Sequence, residues 1–244
     1  MLHKLKMLLV TVLVVVFGSL ALAGCGGEKQ ESGNDGDIQG VTAGQNAQNT
    51  EKESAADLFA KGQKIEGMTC DYVLTASGTT MQGKMWVQGD KVKHETSAQG
   101  EKVIMLFDGS AFYMYNPAQN MALKYTKKDL PGGSEEVDTP FDFTEEASDG
   151  LITELETVDL EGHKCRVLLV QEKDSKDEVK MWVREDYGIP VRVEASDENG
   201  GKTVMEYKNV EVGALPASTF ALPEGVQVQD ISDMMSQLQQ GAGN

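Results

Sequence analysis

Short runs rich in Val, Ile, Tyr, Met and Thr follow one another along the chain from residue 68 onward. Turn-forming pairs such as Gly89-Asp90, Asp108-Gly109 and Asn116-Pro117 separate these runs at intervals of about 8–12 residues. This spacing is typical of antiparallel β-sheet. The pattern predicts about eleven strands, near residues 68–77, 81–88, 91–98, 102–107, 111–116, 121–126, 152–158, 164–172, 178–184, 189–196 and 202–212.

Two other segments have the pattern of short helices. Ser54-Ala-Ala-Asp57 resembles a capping box, with Asp in place of the usual Glu or Gln, and predicts a helix that opens the folded region. A second helix is predicted over residues 230–240, because its apolar positions recur at i, i+3, i+4 and i+7. These positions are Ile231, Met234, Met235 and Leu238. Both helices need an apolar surface to lie on.

The longest interruption of the strand pattern is the segment 128–150, where Pro, Gly and acidic residues surround Phe141 and Phe143. It is too long for a hairpin turn. We therefore expect it to cross the structure or to cover an opening, with a short helix that starts near Thr144.

Several predicted strands are apolar on both faces. Val103–Phe107 and Ala111–Tyr115 show this directly, and in Lys84-Met-Trp-Val87 the Met and Val point one way while the Lys and Trp point the other. Such a sheet must be covered on each side or must close around an interior. The prediction is a mainly β fold of the α+β type: a curved antiparallel sheet or half-open β-barrel, with two or three short helices as a lid.

An internal repeat divides the strands into two related halves, of about residues 64–127 and 151–222. Lys84-Met-Trp-Val87 recurs as Lys180-Met-Trp-Val183, and Cys70 recurs at nearly the same spacing as Cys165. The matching positions predict a disulfide between the two cysteines, which by loop entropy could contribute up to about 4.7 kcal/mol. The alternative is two buried thiols that behave as small apolar groups.

The N-terminus has a different character. Lys4 and Lys6 precede an apolar stretch over residues 7–17, and Leu22-Ala-Gly-Cys25 then matches a bacterial lipobox. We expect residues 1–24 to be a signal peptide that is removed and Cys25 to carry the lipid. Because no later stretch reaches the ~20 apolar residues of a membrane helix, the chain is expected to lie outside the cytoplasm. The lipid would hold it on the outer face of the cytoplasmic membrane, or on the outer membrane of a diderm host.

Residues 25–53 are expected to form the lipidated cysteine and a disordered tether, since almost no apolar residue occurs among them. A flexible coil of this length spans about 30 Å on average. Removal of Lys4 and Lys6 with the signal leaves 20 basic residues against 39 acidic ones. A chain this acidic is repelled by nucleic acid and by anionic lipid headgroups, so neither is expected to bind through charge.

The sequence carries none of the common catalytic and metal-binding motifs: HExxH, CxxC, GxSxG and Walker patterns are absent. Only His94 and His163 remain after signal removal, and a surface or hydrogen-bonded role suits both. We therefore expect no enzymatic activity, no cofactor and no metal.

One stretch of the second half, Met181-Trp-Val-Arg-Glu-Asp-Tyr-Gly-Ile-Pro-Val-Arg-Val-Glu194, combines a Trp-containing strand, a Gly-x-Pro turn and an Arg-containing return strand. Gly162-His-Lys-Cys165 precedes it, and Leu215-Pro-Ala-Ser-Thr-Phe220 and Leu222-Pro-Glu-Gly225 follow. Together these segments resemble the LolA-like superfamily over roughly residues 54–228. The resemblance implies a single domain over residues 54–244, folded as a half-open barrel that holds acyl chains under a helical lid.

Superfamily members include lipoprotein carriers and receptors, glycolipid-binding lipoproteins and envelope-stress regulators. The resemblance thus implies a membrane-anchored module that binds a lipid, or the acyl chain of a lipoprotein. The alternative is a structural or regulatory envelope module that binds a protein partner and fills its interior with its own side chains. The candidate lining residues are Trp86, Trp182, Met85, Met105, Met114, Met181 and Met205, and the candidate lid residues are Phe141, Phe143, Met234 and Met235. The methionines could instead simply fill a core.

Overall fold

The alternating runs fold into one twelve-stranded sheet in the computed structural model. The structure describes residues 53–76, 78–98, 100–126, 139–148, 150–171, 178–196 and 201–231. The strands are β1 (Gly67–Ala76), β2 (Thr79–Gln88), β3 (Lys91–Ala98), β4 (Glu101–Phe107), β5 (Phe112–Asn116), β6 (Met121–Tyr125), β7 (Leu151–Leu160), β8 (His163–Gln171), β9 (Glu178–Arg184), β10 (Pro190–Ser196), β11 (Lys202–Val212) and β12 (Gln227–Asp230).

The strand order is β12-β6-β5-β4-β3-β2-β1-β11-β10-β9-β8-β7. Two series of antiparallel neighbours, β1–β6 and β7–β11, meet where β1 pairs with β11. The curved sheet remains open, with β12 and β7 as its edges. The predicted mainly β, half-open architecture is confirmed.

All eleven predicted strands are present, and a twelfth was not predicted. Strand β12 has only four residues and pairs in parallel with β6. Val228 is its one apolar residue and is 48% exposed, so hydrophobic alternation could not reveal the strand. It forms because β6 supplies hydrogen-bonding partners.

Two helices begin with the same side-chain arrangement. Helix α1 (Ala55–Gly62) starts at Ser54, whose hydroxyl accepts from the Asp57 N–H at 3.1 Å, which confirms the predicted capping box. Before helix α2 (Pro140–Ser148), the Thr139 N–H and hydroxyl both donate to the Asp142 carboxylate at 2.7 Å. The predicted start near Thr144 is therefore wrong. The helix begins four residues earlier, because the Asp142 carboxylate holds the Thr139 N–H just before it and proline suits a first helical position.

Both helices pack on one face of the sheet, which we call the inner face. Leu58 and Phe59 of α1 and Phe143 of α2 are at most 1% exposed. They share one core with side chains from β1, β2, β3 and β8 to β11. The opposite, outer face is covered differently. After β11, residues 213–226 lead to β12, and Leu222 and Val226 pack against outer-face side chains of β4, β5 and β6, namely Ile104, Tyr115 and Ala122.

The residue just before α1 is held by a buried cation. Arg166 of β8 is 3% exposed, and its guanidinium donates to the Glu53 carbonyl and, at 3.3 Å, to the Glu53 carboxylate. Lys61 of α1 reaches the same carboxylate at 2.8 Å. The point at which the N-terminal segment joins the sheet is therefore fixed.

Helix α1 lies so close to the β9–β10 turn that only glycine fits there. Gly188 has φ +70°, and a Cβ built on it would stand 1.9 Å from the Leu58 carbonyl oxygen. The Gly188 N–H donates to the Arg184 carbonyl at 2.8 Å, which closes the turn. The Gly-x-Pro segment thus seats the helix as well as reversing the chain.

We expect Gly188→Ala to lower the free energy of unfolding by about 3 kcal/mol, because the left-handed backbone strain adds to a backbone clash. Gly78→Ala is the matched control. Gly78 also has positive φ, +79°, but nothing lies within 4 Å of its built Cβ, so only the strain of about 1 kcal/mol applies. Urea unfolding followed by tryptophan fluorescence measures both, and equal losses in the two variants would contradict the close approach.

Candidate hydrophobic binding face

The inner face continues beyond the helix-covered core onto β4, β5 and β6. Register places Met85, His94, Met105, Met114 and Leu123 side by side across β2 to β6. Because Met85 lies in the core, this whole row points inward. We define the inner apolar patch as Val103, Met105, Phe107, Met114, Met121 and Leu123, all half-buried and all outside the packed core.

One end of this patch is closed by stacked aromatic rings. Phe107 and Phe112 stack at 4.4 Å between centroids, and Phe112 and Tyr125 stack at 5.5 Å. Phe112 and Tyr125 are each 6% exposed. Offset aromatic stacks of this kind are rigid and apolar, so they bound the more adaptable methionine surface next to them.

His94 marks the border between the core and the patch. It pairs across the sheet with Met85 on one side and Met105 on the other, and its ring meets Tyr72 edge-on at 5.4 Å. Its Nε2 has no hydrogen-bond partner among the described residues. Burial lowers the pKa of His94 to about 4, so the imidazole is neutral at physiological pH.

The predicted methionines divide into two groups. Met85, Met181 and Met205 are at most 7% exposed and belong to the core, as the core-filling alternative anticipated. Met105 and Met114 are half-buried and form the centre of the inner apolar patch. Only the second group has surface available for another molecule.

The two tryptophans lie on the outer face, so the prediction that they line the interior is wrong. Trp86 alternates with the core residues Met85 and Val87, and Trp182 alternates with Met181 and Val183. In both copies of the repeat, Met and Val therefore point inward, whereas Lys and Trp point outward. Periodicity could not choose the face, because Met and Trp are both apolar.

Each outward tryptophan is flanked by two cations. Lys84 and Lys93 approach the Trp86 ring at 5.4 and 4.6 Å. Lys180 and Arg192 approach the Trp182 ring at 4.8 and 5.2 Å. These contacts give the outward rings partners without a second protein layer.

A carboxylate completes each copy of this arrangement. Glu95 pairs with Lys93 at 3.1 Å and with Lys102. Glu194 pairs with Arg192 and, at 2.8 Å, with Lys202. Burial raises the pKa of both glutamates. The hydrogen bonds from the basic side chains that pair with each glutamate outweigh this effect, so each pKa lies below its ordinary value.

The predicted disulfide is absent, and both cysteines are free and buried. Cys70 lies opposite Met85 on the inner face, whereas Cys165 lies opposite Arg184, one residue beyond the repeated motif. Arg184 lies three positions after Met181, the counterpart of Met85 in the repeat, and an odd number of positions along a strand reverses the face. The two thiols therefore point to opposite faces of the sheet, so no disulfide can join them. Burial raises the pKa of Cys70 to about 12 and that of Cys165 to about 11.

The structure describes only two of the four predicted lid residues. Phe143 is fully buried in the core under α2, and Phe141 packs against that core at its margin. Met234, Met235 and the lipidation candidate Cys25 lie outside the described residues.

A polar cleft of about 370 Å³ lies among the β7–β8 turn, the β9–β10 turn and β11. Its cations Arg184 and Lys208 form ion pairs with Asp186 at 2.6 Å and with Glu161 at 3.5 Å. Because these charges are mutually satisfied, the cleft has the character of a structural network. Among the described residues no group of three or more His, Cys, Asp or Glu side chains could hold a metal ion, and no helix is both long and apolar enough to cross a membrane.

Sequence reasoning missed four members of the inner apolar patch: Val103, Phe107, Met121 and Leu123. The signal was present as alternation, since residues 103, 105 and 107 share one face of β4, and 121 and 123 share one face of β6. It was missed because each strand is also apolar on the other face, where residues 213–226 provide the cover.

No protein-family model matches the chain. An uncharacterized protein of Methanocaldococcus jannaschii is 26% identical over 204 residues, which are 79% of this chain and 57% of that protein. The chain thus spans little more than half the length of this relative.

Among solved structures, an uncharacterized conserved protein from Thermus thermophilus superposes with a TM-score of 0.50 at 10% identity, covering 72% of this chain and 98% of that one. LprF from Mycobacterium bovis gives 0.47 at 10% identity, covering 70% and 97%. A LolA superfamily protein from Nitrosomonas europaea gives 0.34 at 12% identity, covering 68% and 97%. The match with the Thermus thermophilus protein shows a shared fold, and a LolA superfamily protein stands among the structural neighbours of the chain.

His94 should make stability depend on pH. Because its pKa of about 4 in the folded chain lies below the ordinary 6.5, the unfolded chain binds the proton first as pH falls. Stability is then lost progressively between about pH 6.5 and pH 4, by up to about 3 kcal/mol. We expect His94→Leu to remove this contribution, so that the difference in unfolding free energy between the two proteins changes across that range. Parallel stability curves from urea titrations would contradict it.

Proposed function

We propose that this protein is a membrane-anchored extracytoplasmic module that binds a hydrophobic ligand, a lipid or the acyl chain of a lipoprotein, on its inner apolar patch. The observation that carries the proposal is the set of six apolar side chains that face inward on β4, β5 and β6 and are only half-buried, outside the core. A sheet face of this kind gains free energy from any apolar molecule that covers it.

The dimensions and composition of the patch suit an acyl chain. Three neighbouring strands span about 14 Å at the usual strand spacing. Met105 and Met114 lie opposite each other at the centre, and flexible thioether side chains adjust to a chain of variable conformation. Each methylene group removed from water contributes about 0.8 kcal/mol, so even part of an acyl chain would bind measurably.

The anchor supports the same role. Lipid on Cys25 would hold the protein at its membrane, and the segment up to Glu53 would give the domain a reach of about 30 Å. Because Arg166 and Lys61 hold Glu53, the tether would end at a defined point beside α1. A domain held in this way can receive or present cargo only close to that membrane, which favours a fixed station over a free carrier.

We expect Met114→Gln to weaken binding of a fluorescent fatty acid about tenfold, because an amide without partners would be buried against the acyl chain. Tyr113→Gln is the matched control: it lies next in sequence, is also half-buried and faces outward. Its affinity should stay within about twofold of wild type. Fluorescence titration gives both constants. Equal weakening would place the ligand elsewhere, and no binding in any form would favour the alternative of a protein-binding module.

The anchor is tested separately. Cys25→Ala should lack the added lipid mass that the wild-type protein carries, because no thiol remains to accept the lipid. Cys70→Ala serves as control, since that thiol is buried within the sheet and its loss should leave fractionation unchanged. Immunoblots of membrane and soluble fractions give the distribution, and intact-mass measurement detects the lipid. A wild-type protein without an added lipid mass would refute lipid anchoring.

A further inference from the structure

We propose that His94 selects the head group of the ligand. Its imidazole forms a hydrogen bond with an uncharged hydroxyl or ester carbonyl at the end of the acyl chain, whereas a carboxylate or phosphate is disfavoured at this place. The inference rests on the proposed function, because it names the class of molecule that the inner apolar patch takes. It makes the ligand an alcohol or an ester of an acyl chain rather than a free fatty acid.

Three polar side chains lie on the inner face between the core and the inner apolar patch, and we call them the polar band: Tyr72, His94 and Thr96, all at most 9% exposed. Gly83 of β2 lets Tyr72 reach across to β3, because a Cβ built on Gly83 would stand 2.8 Å from the Tyr72 hydroxyl oxygen. The Tyr72 hydroxyl forms a hydrogen bond with Thr96, whose hydroxyl donates to the Gln82 carbonyl at 3.0 Å. Both hydroxyls of the band therefore have partners within the protein.

His94 is the member of the polar band with hydrogen-bonding capacity left. Its side chain belongs to the inward row, and its Nε2 is buried without a hydrogen-bond partner among the described residues. A neutral imidazole has one N–H donor and one acceptor nitrogen, and a buried polar atom without a partner costs free energy that a ligand group can recover.

The inner apolar patch begins directly beside this imidazole. Met105 lies opposite His94, and Met114 follows on the next strand. One strand spacing, about 4.8 Å, separates His94 from Met105. Met105 is half-buried, and its thioether side chain is flexible, so a ligand on the patch can move it aside. An acyl chain that lies over the two methionines thus brings its end within reach of His94.

The charges around the polar band disfavour an anionic head group. Strands β1 to β6 contain five lysines and no arginine, and register places all five lysines on the outer face: Lys84, Lys91, Lys93, Lys102 and Lys124. Glu101, by contrast, shares the inward side of β4 with Val103. Burial lowers the pKa of His94 to about 4, so the imidazole supplies no positive charge at neutral pH. A carboxylate or phosphate beside it would lose hydration without gaining a counter-ion.

An uncharged head group meets both conditions. A hydroxyl can donate to the imidazole or accept from it, and an ester carbonyl can accept from its N–H, and neither needs a counter-ion. A free fatty acid can still lie on the inner apolar patch, but its carboxylate stays in water. Its affinity therefore depends on the methionines and not on His94.

Displacement of the same fluorescent fatty acid at neutral pH tests this selection. The competitors are 1-decanol for a hydroxyl, methyl decanoate for an ester and decanoate for a carboxylate. His94→Leu should weaken 1-decanol, methyl decanoate or both about fivefold, the effect of one lost hydrogen bond. The affinities for decanoate and for the fluorescent fatty acid should stay within about twofold of wild type. The affinity ratio of each uncharged competitor to decanoate is compared between variants, because this cancels their different hydrophobicity.

Two further variants serve as controls. His94→Gln keeps a hydrogen-bonding amide on the same side chain position and should retain more of the ratio than His94→Leu does. Met85→Leu alters the neighbour of His94 on β2 without changing a polar group, so its ratios should equal those of wild type. Binding of the fluorescent fatty acid shows in each variant that the patch is intact.

The outcomes separate this inference from the proposed function. Equal ratios in wild type and His94→Leu would overturn the role of His94. If Met114→Gln still weakened the fluorescent fatty acid in that case, the inner apolar patch would remain the binding face. Absence of binding by every probe would refute both proposals. A smaller ratio for one uncharged competitor alone would identify which group, hydroxyl or ester, the imidazole binds.

Discussion

An antiparallel sheet with apolar side chains on both faces must be covered on both, and this constraint organises the whole structure. Around β1, β2 and β8 to β11, α1 and α2 cover the inner face. Over β4 to β6, Leu222 and Val226 cover the outer face. The inner face of β4 to β6 receives neither cover from the described residues, and the inner apolar patch is the result. The candidate site therefore exists because the two short helices and the long connection cover only part of the two faces of the sheet.

The outward tryptophans show another way to meet the same constraint. Trp86 and Trp182 are not buried under a second layer; each lies between two cations, one of which also pairs with Glu95 or Glu194. The long basic side chains shield the rings with their stems while their charged ends stay in water. The repeated Lys-Met-Trp-Val motif thus supplies core and surface at once, with Met and Val for the inside and Lys and Trp for the outside.

The rigid and adaptable parts of the inner face are also separated. Gly188 brings the β9–β10 turn against α1, and the packed core extends from there as far as His94, which is held neutral by burial. Beyond His94 the side chains are mainly methionine, with stacked aromatic rings at one end. A face of this composition can accept differently shaped apolar partners while the helix-covered half keeps the sheet in place.

Local sequence determined the strands, the first helix and the open, mainly β architecture, because alternation, turn residues and capping are encoded within a few neighbouring residues. It could not determine which face was inner. Register decided that Trp86 and Trp182 point outward and that Cys70 and Cys165 lie on opposite faces, since a shift of one residue reverses every side chain. Packing likewise decided that Met85 and Met181 fill the core while Met105 and Met114 remain available at the surface. Residues with the same chemistry have different roles because segments far away in sequence decide which parts of the sheet are covered.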